Sequence, residues 1–119
     1  MEKRLYSKGA ELEPRVYEHG RKSRLMISPK FMDAKGFAMG YQVMAPGGQS
    51  PVHTHETEQE SFFFYSGKGI ATLGDEKFEV GPETAYVAPA GVPHGIVNTG
   101  DEEIRFVWVF VPPLPVHLE

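Results

Sequence analysis

The stretch Gly47–Gly67, GGQSPVHTHETEQESFFFYSG, decides how this chain is read. It gathers two histidines and several carboxylates and passes them straight to an aromatic run. His53 and His55 are two apart. On a β-strand alternate side chains leave the same face, so both imidazoles reach one point from origins ~7 Å apart, whereas on a helix they would diverge. Glu60 follows a polar, turn-prone segment, Glu56-Thr57-Glu58-Gln59, that lets the chain fold back and aim a carboxylate at the same point. Two neutral imidazoles and a carboxylate suit a first-row divalent cation.

Working outward, 119 residues make one domain, long enough to bury roughly two thirds of its unfolded surface in a single core. Thirteen Gly and ten Pro punctuate short segments, and no apolar 3.6-residue period runs for long, so the expected class is all-β. A net charge of −4 and a pI of about 5.7 argue against nucleic acid or an anionic membrane surface as a partner. Without cysteine there is no disulfide, thiolate ligand or thiol nucleophile. The opening MEKRLYSKGAELE is charged, and the longest apolar run, Phe106 to Val111, falls far short of the ~18 residues a membrane span needs. The expectation is a soluble cytoplasmic protein.

Strands are expected at Arg15 to Tyr17, Leu25 to Ile27, Phe37 to Ala45, His53 to His55 and Glu60 to Ser66. They continue at Ile70 to Leu73, Lys77 to Val80, Thr84 to Ala88, His94 to Val97 and Ile104 to Val111. Turns fall at His19-Gly20, Pro46-Gly47-Gly48, Gly67-Lys68-Gly69, Gly74-Asp75-Glu76 and Asn98 to Asp101, with a single helical turn over Phe31 to Lys35. Near-even spacing of short strands implies a sandwich or small barrel. The basic cluster Arg21, Lys22, Arg24 reads as a solvated surface rather than a phosphate site. Gln42, polar within an apolar strand, either lines a pocket or lies at a solvated edge.

The second part of the site is His94, which shares a face with Ile96 and Asn98 and follows a loop stiffened by Pro89 and Pro93 around Gly91. Here the residues resemble a family. Gly47-x5-His53-x-His55-x4-Glu60-x6-Gly67 fits the first cupin motif at every fixed position, and Pro89-x-Gly91-x2-His94-x3-Asn98 fits the second. Five fixed positions coincide by chance about once in ten million starting points at ordinary residue usage. One position departs: the glycine opening the second motif is Glu83, so the turn before Thr84 is expected to differ slightly, no ligand being involved.

The resemblance implies a cupin double-stranded β-helix, a jelly-roll barrel over residues 37–119, with residues 1–36 as an N-terminal arm and edge strands packing on it. It further implies a metal, Mn, Fe, Ni, Zn or Cu, held by His53, His55, Glu60 and His94. Parity from Glu60 sends Phe62 and Phe64 inward and Phe63 and Tyr65 outward. Phe62, Phe64, Phe106 and Trp108 are expected to wall a dry pocket for a small organic substrate, with Gln49, in phase with His53, donating into it. His19 and His117 lie outside both motifs and are read as incidental. Tyr41, Tyr86 and Gln49 are the candidates for a general base, and none is compelling.

The expected function is a metal-dependent enzyme, dioxygenase-type first, with lyase, decarboxylase or isomerase chemistry behind it. The alternative is a non-catalytic metabolite-binding protein with a structural metal. An outward apolar row holding Phe63 and Tyr65 leads to the expectation of a homodimer.

Overall fold

The computed structural model describes residues 4–119. Ten strands are present among them: β1 (Arg15–Tyr17), β2 (Arg21–Ile27), β3 (Ala38–Met44), β4 (Gln49–His53), β5 (Gln59–Ser66), β6 (Gly69–Leu73), β7 (Glu76–Val80), β8 (Thr84–Ala88), β9 (His94–Val97) and β10 (Ile104–Val111). Short 3-10 helices cover Gly9–Glu11 and Pro115–Leu118. The strands form two antiparallel sheets, ordered β1-β2-β3-β10-β5-β8 and β4-β9-β6-β7, the two walls of a jelly roll. No helix among the described residues is long and apolar enough to cross a membrane.

Alternation makes the core. Along β10, Ile104, Phe106, Trp108 and Phe110 are buried and the intervening residues are not. Because β10 lies between β3 and β5, these rings meet inward residues on both sides. Phe106 stands opposite Gln42 and Phe64, Trp108 opposite Gly40 and Phe62, and Phe110 opposite Ala38 and Glu60. Phe64, Phe106, Met44 and Ile104 are completely buried, each large side chain contributing roughly 1.5–3 kcal/mol through burial. Gly40 is required beneath Trp108, since a Cβ there would collide with the Trp108 ring and the Arg24 carbonyl.

Three local readings are corrected. The second strand is longer than expected, running back to Arg21, because Arg21 and Lys22 pair with Met44 and Val43 on β3. The strand expected over His53 to His55 is β4, which starts at Gln49 and ends at His53, leaving His55 beyond the sheet. The one-turn segment forms at Ser28 to Met32, where the Phe31 and Met32 amides both donate to the Ser28 carbonyl, and not over Phe31 to Lys35.

The turn before Thr84 keeps the left-handed backbone that a glycine would supply, with Glu83 itself at φ 65°. Bonds on both sides hold it there: the Glu83 amide donates to the Phe64 carbonyl at 2.7 Å and the Gly81 amide to Thr84 Oγ1 at 3.1 Å. The expected change in that turn is therefore absent.

Candidate metal centre

Four elements bring the group together. His53 ends β4, Glu60 lies near the start of β5, His94 opens β9, and His55 sits in the loop between β4 and β5. One donor atom from each of His53, His55, Glu60 and His94 lies within 4.8 Å of all the others. The imidazoles meet with ring centroids 4.4 to 5.2 Å apart. His94 Nε2 stands 3.2 Å from Glu60 Oε1, and His55 Nε2 stands 3.7 Å from the same oxygen, too far for a hydrogen bond.

The backbone sets the tautomers. His53 Nδ1 donates to the Pro51 carbonyl at 2.7 Å, which leaves its Nε2 with a free lone pair, and His94 Nδ1 donates to the Val92 carbonyl at 3.1 Å, which turns its Nε2 toward Glu60. Position is set by other bonds. The Gly91 amide, at φ 82°, donates to the His55 carbonyl at 2.8 Å, so the loop that carries His94 also fixes His55. Asn98 ties the base of β9 to the β3–β4 turn through its amide group on the Met44 and Ala45 carbonyls, both at 3.1 Å.

Electrostatics favour one charged carboxylate among the imidazoles. Burial opposes ionisation of Glu60, but the His55 and His94 rings outweigh it and hold the pKa below the usual carboxylate range. Burial likewise opposes charge on His94, and the bond to Glu60 outweighs it, raising that pKa. At His53 burial prevails and lowers the pKa. His55 Nε2 is buried with no hydrogen-bond partner. A buried ring nitrogen without a hydrogen-bond partner, beside a carboxylate and two further imidazoles, is what a divalent cation would satisfy, so this group could hold a metal ion.

The group opens onto a cavity of ≈ 160 Å³. Phe62, Phe106, Trp108 and Phe110 supply apolar wall. Two expectations fail. Phe64 is fully buried in the core and is not part of the wall. Gln49 is displaced by Ser50 because β4 carries a bulge: Ser50 pairs with Ile96 and His53 with His94, three residues against two. That extra residue shifts the phase, so Gln49 and His53 no longer share the inner face.

The tyrosines also lie outside. Tyr41 Oη accepts a bond from Arg24 at 3.2 Å, and Tyr86 packs behind Phe62 with ring centroids 4.5 Å apart, its hydroxyl buried.

Several wall residues escaped the sequence reading, whereas Gln42 takes the pocket side of the two alternatives left open for it. His117, taken as incidental, is buried, stacks on Trp108 with ring planes 13° apart and lines the cavity. Gln42 and Ser23 face inward, Ser23 accepting from Trp108 Nε1 at 2.9 Å. Arg21, read as surface, reaches the cavity beside Ser50. Strand parity with Ser23 and Leu25 was the available signal for Arg21. No local signal marks His117, which arrives through the fold of the last residues.

A family model for the cupin domain matches residues 40–110. An uncharacterized protein of Methanocaldococcus jannaschii is 25% identical over 103 residues, covering 87% of this chain and 82% of its own. A predicted oxalate decarboxylase from Thermotoga maritima superposes with a TM-score of 0.79 at 20% identity, covering 88% of this chain and 96% of its own. The polyketide cyclase RemF from Streptomyces resistomycificus superposes with a TM-score of 0.76 at 25% identity, covering 93% of this chain and 80% of its own.

Proposed function

The chain belongs to the cupin family, and from that premise we propose that it is a metal-dependent enzyme acting on a small organic substrate, with His53, His55, Glu60 and His94 as the metal-holding residues. The observation that carries this reading is the convergence of four donor atoms within 4.8 Å at the edge of an aromatic-walled cavity. A divalent cation there would act as a Lewis acid and template for a carbonyl or hydroxy group. The protein's own part is to shape and dry the site. Phe62, Phe106 and Trp108 exclude water from one flank. His117 accepts the Leu114 amide at Nδ1, 3.1 Å away, so its proton sits on Nε2 and the ring offers a donor at the wall.

Lewis-acid chemistry such as ring closure, decarboxylation or isomerisation ranks ahead of the dioxygenase chemistry expected from the ligand types. The support is the resemblance to RemF, a polyketide cyclase. A purely structural cation would be closed in by protein, whereas His53 is exposed and the cavity opens beside the four donors. That difference keeps the non-catalytic reading second. We place the protein in the cytoplasm, and the exposed Phe63, Tyr65 and Val87 on the outer face of β5 and β8 support a homodimer.

Elemental analysis of tag-free protein tests the site: about one divalent transition-metal ion per chain is expected, and none in His53→Ala or Glu60→Gln. Oxygen uptake by iron-loaded protein with diketones, catechols, flavonols and thiols tests the ranking. No uptake is expected, and consumption with any of them would restore dioxygenase chemistry to first place.

A further inference from the structure

We infer that the cavity selects a small hydroxy acid, its carboxylate held by Arg21 and its hydroxyl donating to Gln42; the assignment rests on the reading of His53, His55, Glu60 and His94 as the metal-holding group of that cavity. Arg21 carries the argument. It stands on the inner face of β2, partly buried, and no carboxylate among the described residues lies within ion-pair distance of it.

Its orientation is fixed by a carbonyl, a hydroxyl and a ring, and the Glu18 carboxylate acts on its charge only from beyond ion-pair distance. Nε donates to the Glu18 carbonyl at 3.0 Å, Nη1 to Ser50 Oγ at 3.5 Å, and the guanidinium lies over the Tyr17 ring at 5.2 Å. A guanidinium has five N–H donors, so three remain in a planar fork suited to a carboxylate. Glu60, the one carboxylate in the cavity wall, is already engaged by His94. With a divalent cation bound, positive charge would exceed negative in this space, and an anionic ligand would redress it.

Gln42 is the independent observation. It is 8% exposed, it lines the same cavity, and its Oε1 is buried without a hydrogen-bond partner. A buried acceptor left unpaired is costly, and a donor on the ligand would satisfy it. Ser23, opposite Gln42 on β2, does not serve, because it accepts from Trp108 Nε1 and donates to the Tyr41 carbonyl. At ≈ 160 Å³ the space is close to a cavity of about 150 Å³ that accommodates benzene, so the ligand has about six to ten non-hydrogen atoms.

Calorimetry on the zinc-loaded full chain tests this with 2-hydroxy-3-methylbutanoate, its amide and 3-methylbutanoate. The wild type is expected to prefer the hydroxy acid over its amide by about 10- to 100-fold. Arg21→Gln should cut that preference by tenfold or more, with Arg21→Lys intermediate. Gln42→Met should cut the preference for the hydroxy acid over 3-methylbutanoate by about three- to tenfold. Equal binding of acid and amide by the wild type, or an undiminished preference in a folded Arg21→Gln protein, overturns the assignment. Stripping the zinc separates the two readings. Unchanged affinity with an Arg21-dependent preference overturns the metal-holding group alone. Affinity lost with zinc, alongside an undiminished preference in Arg21→Gln, overturns Arg21 alone.

Discussion

The Gly91 amide donates to the His55 carbonyl at 2.8 Å, joining the two histidine-bearing segments through backbone alone. Gly91 holds φ 82°, where a side chain is strained, although nothing lies within 4 Å of a Cβ built on it. The constraint is conformational and not one of space. Gly91→Ala should cost about 1–2 kcal/mol, and the strain would loosen both His55 and His94. Metal affinity measured by competition with a chromogenic chelator should fall about tenfold, while far-UV circular dichroism stays unchanged. Unaltered affinity would show that this bond does not position the imidazoles.

Metal removal should lower the melting temperature. A cation bound only by the folded chain at about a hundred times its Kd adds about 2.7 kcal/mol, which for a domain of this size corresponds to a shift on the order of 10 °C. Differential scanning calorimetry with and without a chelator reads it directly. The shift should shrink to near zero in Glu60→Gln and His94→Ala; a full shift in either variant would remove that residue from the group.

Glu83 offers a gain in stability. Its left-handed backbone costs a residue with a Cβ about 1 kcal/mol or more, against the added flexibility glycine brings to the unfolded chain. Glu83→Gly should be neutral to stabilising by about 1 kcal/mol, raising the melting temperature by a few degrees without changing metal content. A clear fall in melting temperature would mean that the Glu83 side chain contributes something its backbone conformation hides.

His117 gives stability a pH dependence. Burial lowers its pKa, and Arg15 nearby acts in the same direction. Unfolded, the ring takes a proton at about 6.5, and folded it does so only at lower pH. Between those values the unfolded chain binds more protons, so this contribution is complete above about pH 6.5 and is lost as pH falls through the folded value. In chelated protein, the stability difference between wild type and His117→Gln, from urea midpoints, should be larger at pH 8 than at pH 5. An equal difference at both would show that the ring does not titrate with folding.

Phe63 and Tyr65 alternate on the outer face of β5 and are 45% and 42% exposed. Sedimentation should find a dimer for the wild type and a monomer for Phe63→Glu, both with the same metal content. A monomeric wild type would discard the proposed interface.

Most of the barrel is legible in the chain because period-two burial and Gly/Pro turns act locally: β10 alternates bulky aromatic with small branched residues, and its burial follows that alternation. The grouping of His53, His55, Glu60 and His94 is legible for a different reason, since the spacing of both motifs matches a known pattern. The failures are non-local. Parity carried Gln49 onto the inner face, but a bulge, which only pairing with β9 reveals, put Ser50 there. His117 reaches Trp108 by a return of the chain end, fixed in part by Ser28 Oγ donating to the His117 carbonyl at 2.6 Å across 89 positions. Arg21 sits in a charged cluster that looks solvated, and its parity with Ser23 becomes readable only once pairing with β3 carries β2 back to residue 21.

The irregularity between Ser50 and His53 makes β4 two short rulers laid end to end and offset by one notch. Residue 50 can therefore be exchanged, altering which molecules are welcomed beside Arg21, without swinging the imidazole three places further along. Grip on the ion and choice of guest become separately adjustable on a single five-residue strand.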